Sequence, residues 1–191
     1  MRKLSSFTNI SLDGYYADAT GGFNWGHPEK KDPEFDAFVA DNAKGGGGAL
    51  LFGRVTYEIM AKYWPTPMAA KDNPVVAEGM NNLPKVVFSR TLKEATWKNT
   101  TLVKGDVAAE VRKLKQAAGD DMVILGSGSI VAQLAQEKLI DEFQIVVQPV
   151  VLGSGKTLFA GVKDSLDLAL GKTRTFPSGK IFLRYTPANG K

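Results

Sequence analysis

The chain has 191 residues, enough for one domain to close over a sizeable core, and its 43% hydrophobic share is that of a globular protein. The absence of cysteine excludes disulfides, thiolate zinc sites and a cysteine nucleophile, and a single histidine, His27, leaves no histidine cluster for a metal, so none is expected. The net charge of +4 is spread over scattered lysines, so nucleic acid is not an expected partner, and no apolar run approaches the roughly 20 residues of a membrane span.

The opening Met1-Arg2-Lys3-Leu4-Ser5-Ser6 has charge but no apolar signal-peptide core, and a cytoplasmic location is expected. Residues 4–12 read as a first strand, with Leu4, Ser6, Thr8 and Ile10 on one face and Phe7 on the other. Asp13-Gly14 turns the chain into a loop, residues 18–32, that carries Gly21-Gly22, Phe23, Trp25 and Pro28. Loops of this length are functional or mobile, and Trp25 is a candidate to cover a ligand or the edge of the core. Asp32-Pro33 opens a helix, with Asp at the N-cap and Pro in the first turn. That helix buries Phe35, Phe38 and Val39 and ends at the glycine run 45–48.

Ala49-Leu50-Leu51-Phe52 is a short buried strand, followed at once by Gly53 and a helix from Arg54 through Tyr63. Pro65, Pro67 and Pro74 break the chain before a short helix near residues 75–80. Strands at 85–88, which ends in Ser89-Arg90, and at 100–103 come next. Val107, Val111, Leu114 and Ala118 then share a helical face. Met122-Val123-Ile124-Leu125 is a buried strand, and Gly126-Ser127-Gly128-Ser129 links it to a helix that buries Ile130, Val131, Leu134 and Ala135. Phe143, Ile145 and Val147 alternate with Gln144 and Gln148, and Pro149 points to an edge or a bulge. Leu166, Leu168 and Leu170, then Ile181, Leu183 and Tyr185, alternate on either side of a Pro177-Ser178-Gly179 turn. Eight strands and about five helices, alternating up to Leu139 and nearly all strand afterwards, predict a single α/β domain over residues 1–191. Its sheet is mixed, mainly parallel at first and antiparallel in its C-terminal portion.

Three strand ends carry groups suited to anions: Gly53-Arg54, Ser89-Arg90 and the loop 126–129. In a parallel sheet such ends lie along one edge. Free N–H groups and the positive dipole end favour a phosphate at a helix start. Gly126 and Gly128 admit close approach, and Ser127 and Ser129 can cap the helix or donate hydroxyls. Two arginines can take a further phosphate through paired hydrogen bonds. The set points to a nucleotide with more than one phosphate site, such as NADP; the plainer alternative is a serine-capped turn and two solvated arginines. Gly153-Ser154-Gly155-Lys156-Thr157 looks like the tail of a P-loop, but Val150 stands where its first glycine belongs and Leu158-Phe159-Ala160-Gly161 opens no helix. Neither serine loop has the spacing of a nucleophile elbow. Asp13 and Asp36 are the candidate carboxylates for a proton relay.

Five segments in order and spacing complete the picture. They are Ser11-Leu12-Asp13-Gly14, Gly53-Arg54-Val55-Thr56-Tyr57-Glu58, Gly126-Ser127-Gly128-Ser129-Ile130, Leu139-Ile140-Asp141-Glu142, and the run from Pro149 through Gly153-Ser154-Gly155-Lys156-Thr157 to Phe159. Together they resemble the RibD C-terminal reductase domain family, which shares the dihydrofolate reductase fold. The resemblance covers almost the whole chain. It implies a dihydrofolate reductase-like eight-stranded sheet flanked by helices, with NADPH across its strand ends. By that likeness Gly53, Arg54 and Thr56 meet cofactor phosphate or adenosine, and Ser89 and Arg90 lie by the 2′-phosphate. Gly126, Ser127, Gly128, Ser129 and Ile130 hold the pyrophosphate.

Asp13, Gly14 and Trp25 lie near nicotinamide and substrate by the same likeness. Tyr15 and Tyr57 join Trp25 in walling the substrate pocket, and Asp13 orients the substrate or relays a proton. A homodimer through the C-terminal strands is implied as well. There is no zinc deaminase domain, and Tyr15-Tyr16 departs from the riboflavin reductases toward the free-standing branch of the family. The expected activity is NADPH-dependent hydride transfer to a C=O or C=N of a small substrate, as in the reduction of 5-amino-6-(5-phosphoribosylamino)uracil in riboflavin biosynthesis. The alternatives are a dihydrofolate or pterin reductase, with Asp36 on the relevant helix, and a nucleotide-binding protein without catalysis.

Overall fold

The computed structural model describes residues 1–26, 32–45 and 48–188. His27, Pro28, Gly46 and Gly47 lie outside the described residues. The strands are β1 (Leu4–Ser11), β2 (Tyr15–Ala17), β3 (Ala49–Gly53), β4 (Lys85–Phe88), β5 (Thr100–Val103), β6 (Met122–Leu125), β7 (Glu142–Gln148), β8 (Lys156–Thr157), β9 (Leu168–Thr175) and β10 (Ile181–Pro187). Eight of them form one sheet in the order β5-β4-β3-β6-β1-β7-β10-β9, while β2 and β8 pair as a separate ribbon. The pairs from β5 to β7 are parallel, and β10 runs antiparallel to both β7 and β9.

The apolar runs make this sheet because both faces are covered. On one face Leu4, Leu51, Ile124 and Phe143 pack with residues of α5 (Val107–Gln116) and α6 (Gly128–Gln136). On the other, Leu50, Phe52 and Val87 meet α2 (Arg54–Tyr63) and α4 (Pro74–Asn82). There also α1 (Pro33–Gly45) sets Phe35 and Phe38 against Phe176 and Phe182 of the C-terminal hairpin. Asp32 caps α1 as its sequence predicts: one carboxylate oxygen accepts the Phe35 amide at 3.1 Å and the other the Ser178 amide at 3.0 Å.

Three local expectations change. Pro149 lies just past β7, which sits inside the sheet between β1 and β10, so it marks neither an edge nor a bulge. A further helix, α3 (Pro67–Asp72), stands where the prolines suggested only a break. Its signal was the one that opens α1, since Thr66 caps it and Pro67 fills its first turn. The ribbon of β2 and β8 is two to three residues a side, too short to leave a periodicity.

Lys85 opens β4 with only 1% of its surface exposed. Its Nζ donates to the Leu83 carbonyl at 2.6 Å and lies 4.6 Å from the centre of the Trp97 ring. Burial, helped by the charge of Lys98, lowers its pKa from 10.5 to about 8. Above the lowered value the unfolded chain binds more protons than the folded one, so stability rises with pH between these two values. Urea unfolding should show roughly 2 kcal/mol gained between about pH 7.5 and about pH 9.5, relative to Lys85→Met. Identical pH profiles for the two proteins would refute this account.

Candidate active site

Because the strands run parallel, their carboxyl ends share one rim. Gly53 stands beside Phe88, Leu125 beside Phe7, and Gln148 beside Ser11. A cleft of about 1230 Å³ opens there and extends over the sheet face between α1 and the pair α2 and α4. Phe7, Asn9 and Leu125 form its floor, and Val39, Met60 and Val76 are among its walls. Gly53, Arg54, Thr56 and the segment 126–130 line its rim end.

The loop between β6 and α6 is held in an unusual backbone shape. Gly126 has φ 56°, and Ser127 is left-handed at φ 48° and ψ 50°, a conformation that costs an ordinary residue free energy. Hydrogen bonds offset that cost. The Gly126 amide donates to the Phe7 carbonyl at 2.9 Å, and the Ser127 amide donates to Thr56 Oγ1 at 3.2 Å. Ser127 Oγ accepts the Gly53 amide at 3.0 Å and donates to the Leu125 carbonyl at 3.1 Å. Ser127 is buried, so its hydroxyl clasps the tips of β3 and β6, whose ladder pairs Ala49 through Leu51 with Met122 through Ile124. Ser129 is exposed, and Ile130 packs beneath Gly53.

Two helices begin on this rim, α2 and α6, and neither has a side-chain cap. In α1, α3 and α5 a side chain of Asp32, Thr66 or Asp106 does that work; α4, which follows α3 directly, also lacks one. No N-cap side chain therefore takes the first amides of α2, while at α6 the Ser129 amide meets the Tyr16 hydroxyl. Arg54 stands at the start of α2, half exposed, with its guanidinium 2.9 Å from Glu58. The first amides of α2, the positive ends of two helix dipoles and an arginine suit a phosphate-bearing ligand.

The other residues singled out in the sequence fall elsewhere. Ser89 and Arg90 follow β4 on the same rim but do not line the cleft, and Ser89 Oγ accepts the amides of Thr91 and Leu92. Tyr57 is a correction: it is 3% exposed, packs on Phe52, and its hydroxyl accepts the Trp97 amide at 2.9 Å. It belongs to the core rather than to a substrate wall. Asp13 is a second correction. Its carboxylate accepts the Ser11 hydroxyl at 2.6 Å, the Gly153 amide at 2.7 Å and the Leu152 amide at 3.1 Å. The Ser11 bond first, then those amides, hold its pKa at about 2. It does not line the cleft, and it ties the turn after β1 to the chain after β7.

Gly14 makes that turn at φ 87°, and Tyr15 pairs with Thr157 in the ribbon; neither lines the cleft. Nor does Trp25, whose ring stands edge-on to Phe23 at 5.1 Å. Asp36 is exposed on α1 and away from the cleft, so the carboxylate expected of a pterin reductase is not there. In each aromatic case a neighbour reaches the cleft instead, Tyr16 for Tyr15 and Phe23 for Trp25. Asn9 and Gln144 on the cleft floor also escaped the sequence reading, because polar residues inside strands read as solvent-facing.

A mostly parallel sheet with a cleft at its carboxyl rim defines a ligand-binding α/β protein. The chain belongs to the RibD C-terminal domain family, whose sequence model matches residues 2–182. The uncharacterized protein YyaP of Bacillus subtilis (strain 168) is 30% identical over 176 residues, covering 92% of this chain and 90% of its own. A candidate riboflavin biosynthesis protein from Shewanella sp. PV-4 superposes with a TM-score of 0.74 at 25% identity, covering 98% of this chain and 99% of that one. The diaminohydroxyphosphoribosylaminopyrimidine deaminase/5-amino-6-(5-phosphoribosylamino)uracil reductase of Thermotoga maritima shares the fold, with a TM-score of 0.66 at 14% identity over 98% of this chain and 57% of that one. The chain is thus of a riboflavin-pathway reductase-like family, and no helix among the described residues is long and apolar enough to cross a membrane.

Proposed function

We propose that this protein is an NADPH-dependent reductase that delivers hydride to a C=O or C=N carbon of a small substrate, related in chemistry to aminouracil reduction. One observation carries the reading: the starts of α2 and α6, neither with a side chain at its N-cap bonded to it, line one large cleft together with Arg54. The positive end of α6 suits a pyrophosphate, and Arg54 with the first turn of α2 suits a second phosphate. When bound, the cofactor supplies the hydride. Phe7, Asn9 and Gln144 on the floor orient the substrate, and Tyr16 and Phe23 keep water from it.

Fluorescence titration should show NADPH bound more tightly than NADH, with Arg54→Ala shrinking that preference about tenfold. Equal affinity for the two dinucleotides in the wild type would remove the reading. A cytoplasmic location accords with it. A homodimer through the C-terminal strands is supported by Leu170 and Ile181, large apolar residues left exposed on β9 and β10. Sedimentation giving the mass of one chain would dismiss the dimer.

A further inference from the structure

Asp13 does not line the cleft and its carboxylate is taken by Ser11, Leu152 and Gly153, so a reduction there needs its proton from another group. The titratable groups lining the cleft among the described residues fall into two sets. Lys3, Asp121 and Glu142 border the amino ends of strands, and Tyr63 closes α2, roughly 14 Å along the helix from Arg54. At the carboxyl rim stand Tyr16, Arg54 and Lys156. An arginine does not deprotonate in proteins, and Arg54 is engaged by Glu58.

Tyr16 is placed with care. Its ring lies on the first residue of α6, so close that a Cβ on Gly128 would stand 2.3 Å from Cε1 and 2.6 Å from Cζ. The Ser129 backbone amide lies beside its hydroxyl. Burial raises its pKa above the ordinary phenol value of 10.0, so the hydroxyl is protonated at neutral pH. Once the proton has gone, the Ser129 amide and the positive end of α6 stabilise the phenolate. Tyr16 also lines a second pocket of about 570 Å³ on its outer side, with Ser129, Gln133, Lys156 and Thr157. These four are exposed, so this pocket meets solvent.

We propose that Tyr16 is the proton donor of the site, standing between the substrate cleft and a solvent-side pocket through which water restores its proton. The proposal rests on the reductase reading. The substrate carbon of a C=O or C=N bond gains hydride, and the π pair moves to oxygen or nitrogen. That atom takes the proton from Tyr16 Oη, whose O–H bond breaks, and a proton from water then returns the phenolate to phenol. Charged groups near it are Arg54 from α2, Lys156 from β8 and, in the outer pocket, Glu137 from the end of α6.

The test labels tyrosine ring carbons and follows their NMR shifts in alkaline titration, with Tyr16→Phe assigning the signal. Binding of NADP+ and of NADPH is measured in parallel by calorimetry. NADP+ and NADPH bring the same phosphates to the start of α6 and differ in the positive nicotinamide, so the Tyr16 midpoint should lie about one pH unit lower with NADP+ bound than with NADPH bound. Both bound with the same midpoint overturns the proposal and leaves the reductase reading standing; no binding of either overturns both. Kinetically, 4-nitrobenzaldehyde needs a proton after hydride arrives, and the 10-methylacridinium cation does not. Tyr16→Phe should lower the ratio of aldehyde to acridinium reduction about 100-fold. Equal slowing of both reduces Tyr16 to packing, and a ratio lost only in Lys156→Met gives the role to Lys156.

Discussion

Gly48→Ala should destabilise the protein severely. Gly48 is buried just before β3, and a Cβ built on it would stand 1.3 Å from the Asp121 carbonyl oxygen and 2.5 Å from its carbonyl carbon. Those are backbone atoms, and they cannot step aside. The Asp121 carboxylate accepts the Lys3 amide at 2.7 Å, and the Met122 amide donates to the Lys3 carbonyl at 2.8 Å. Moving Asp121 therefore strips the joint where β1, β3 and β6 enter the sheet. A loss above about 4 kcal/mol is expected, a large part of the stability of a domain. Gly79 in α4 is the control, since its nearest neighbour to a new Cβ is the Ala43 carbonyl oxygen at an ordinary 3.9 Å. Gly79→Ala should stabilise by about 0.5–1 kcal/mol, as Ala does inside a helix. Circular dichroism melting compares the two, and a Gly48→Ala protein melting near the wild type would refute the crowding.

Gly128→Ala should have the second largest effect, and it is the one that reaches the site. The Tyr16 ring already occupies the space a Cβ would need. The backbone at Gly128 is helical, so the substitution costs nothing there and the whole penalty is the displaced ring. About 1–3 kcal/mol is expected from overpacking. The Tyr16 hydroxyl would leave the Ser129 amide at the same time. In a Tyr16→Ala background the same change should be nearly neutral, giving a coupling energy of similar size in a double-mutant cycle by urea unfolding. Additive losses would mean that ring and glycine are not truly in contact.

The frame of the fold was legible because each strand of the parallel part is a short apolar run bounded by punctuation. Leu125 followed by Gly126 gives the end of β6, and Phe52 followed by Gly53 gives that of β3. Half of the site was legible for the same reason, since parallel strands bring their ends to one edge whatever their order. The other half depends on contacts far apart in sequence. Asp13 is defined by amides 139 and 140 residues away. Which of Tyr15 and Tyr16 faces the cleft is decided by a ribbon whose partner strand is β8. Tyr57 carries a hydroxyl that reads as a pocket group until Trp97 is seen to supply its donor.

Ser127 gives the rim a particular mechanical character. Below it, β3 and β6 are laced by backbone ladder bonds; above it, one side-chain oxygen holds their tips. Because a single oxygen makes both links, Ser127→Ala would remove them together and leave the ladder below it as the only tie between the two strands.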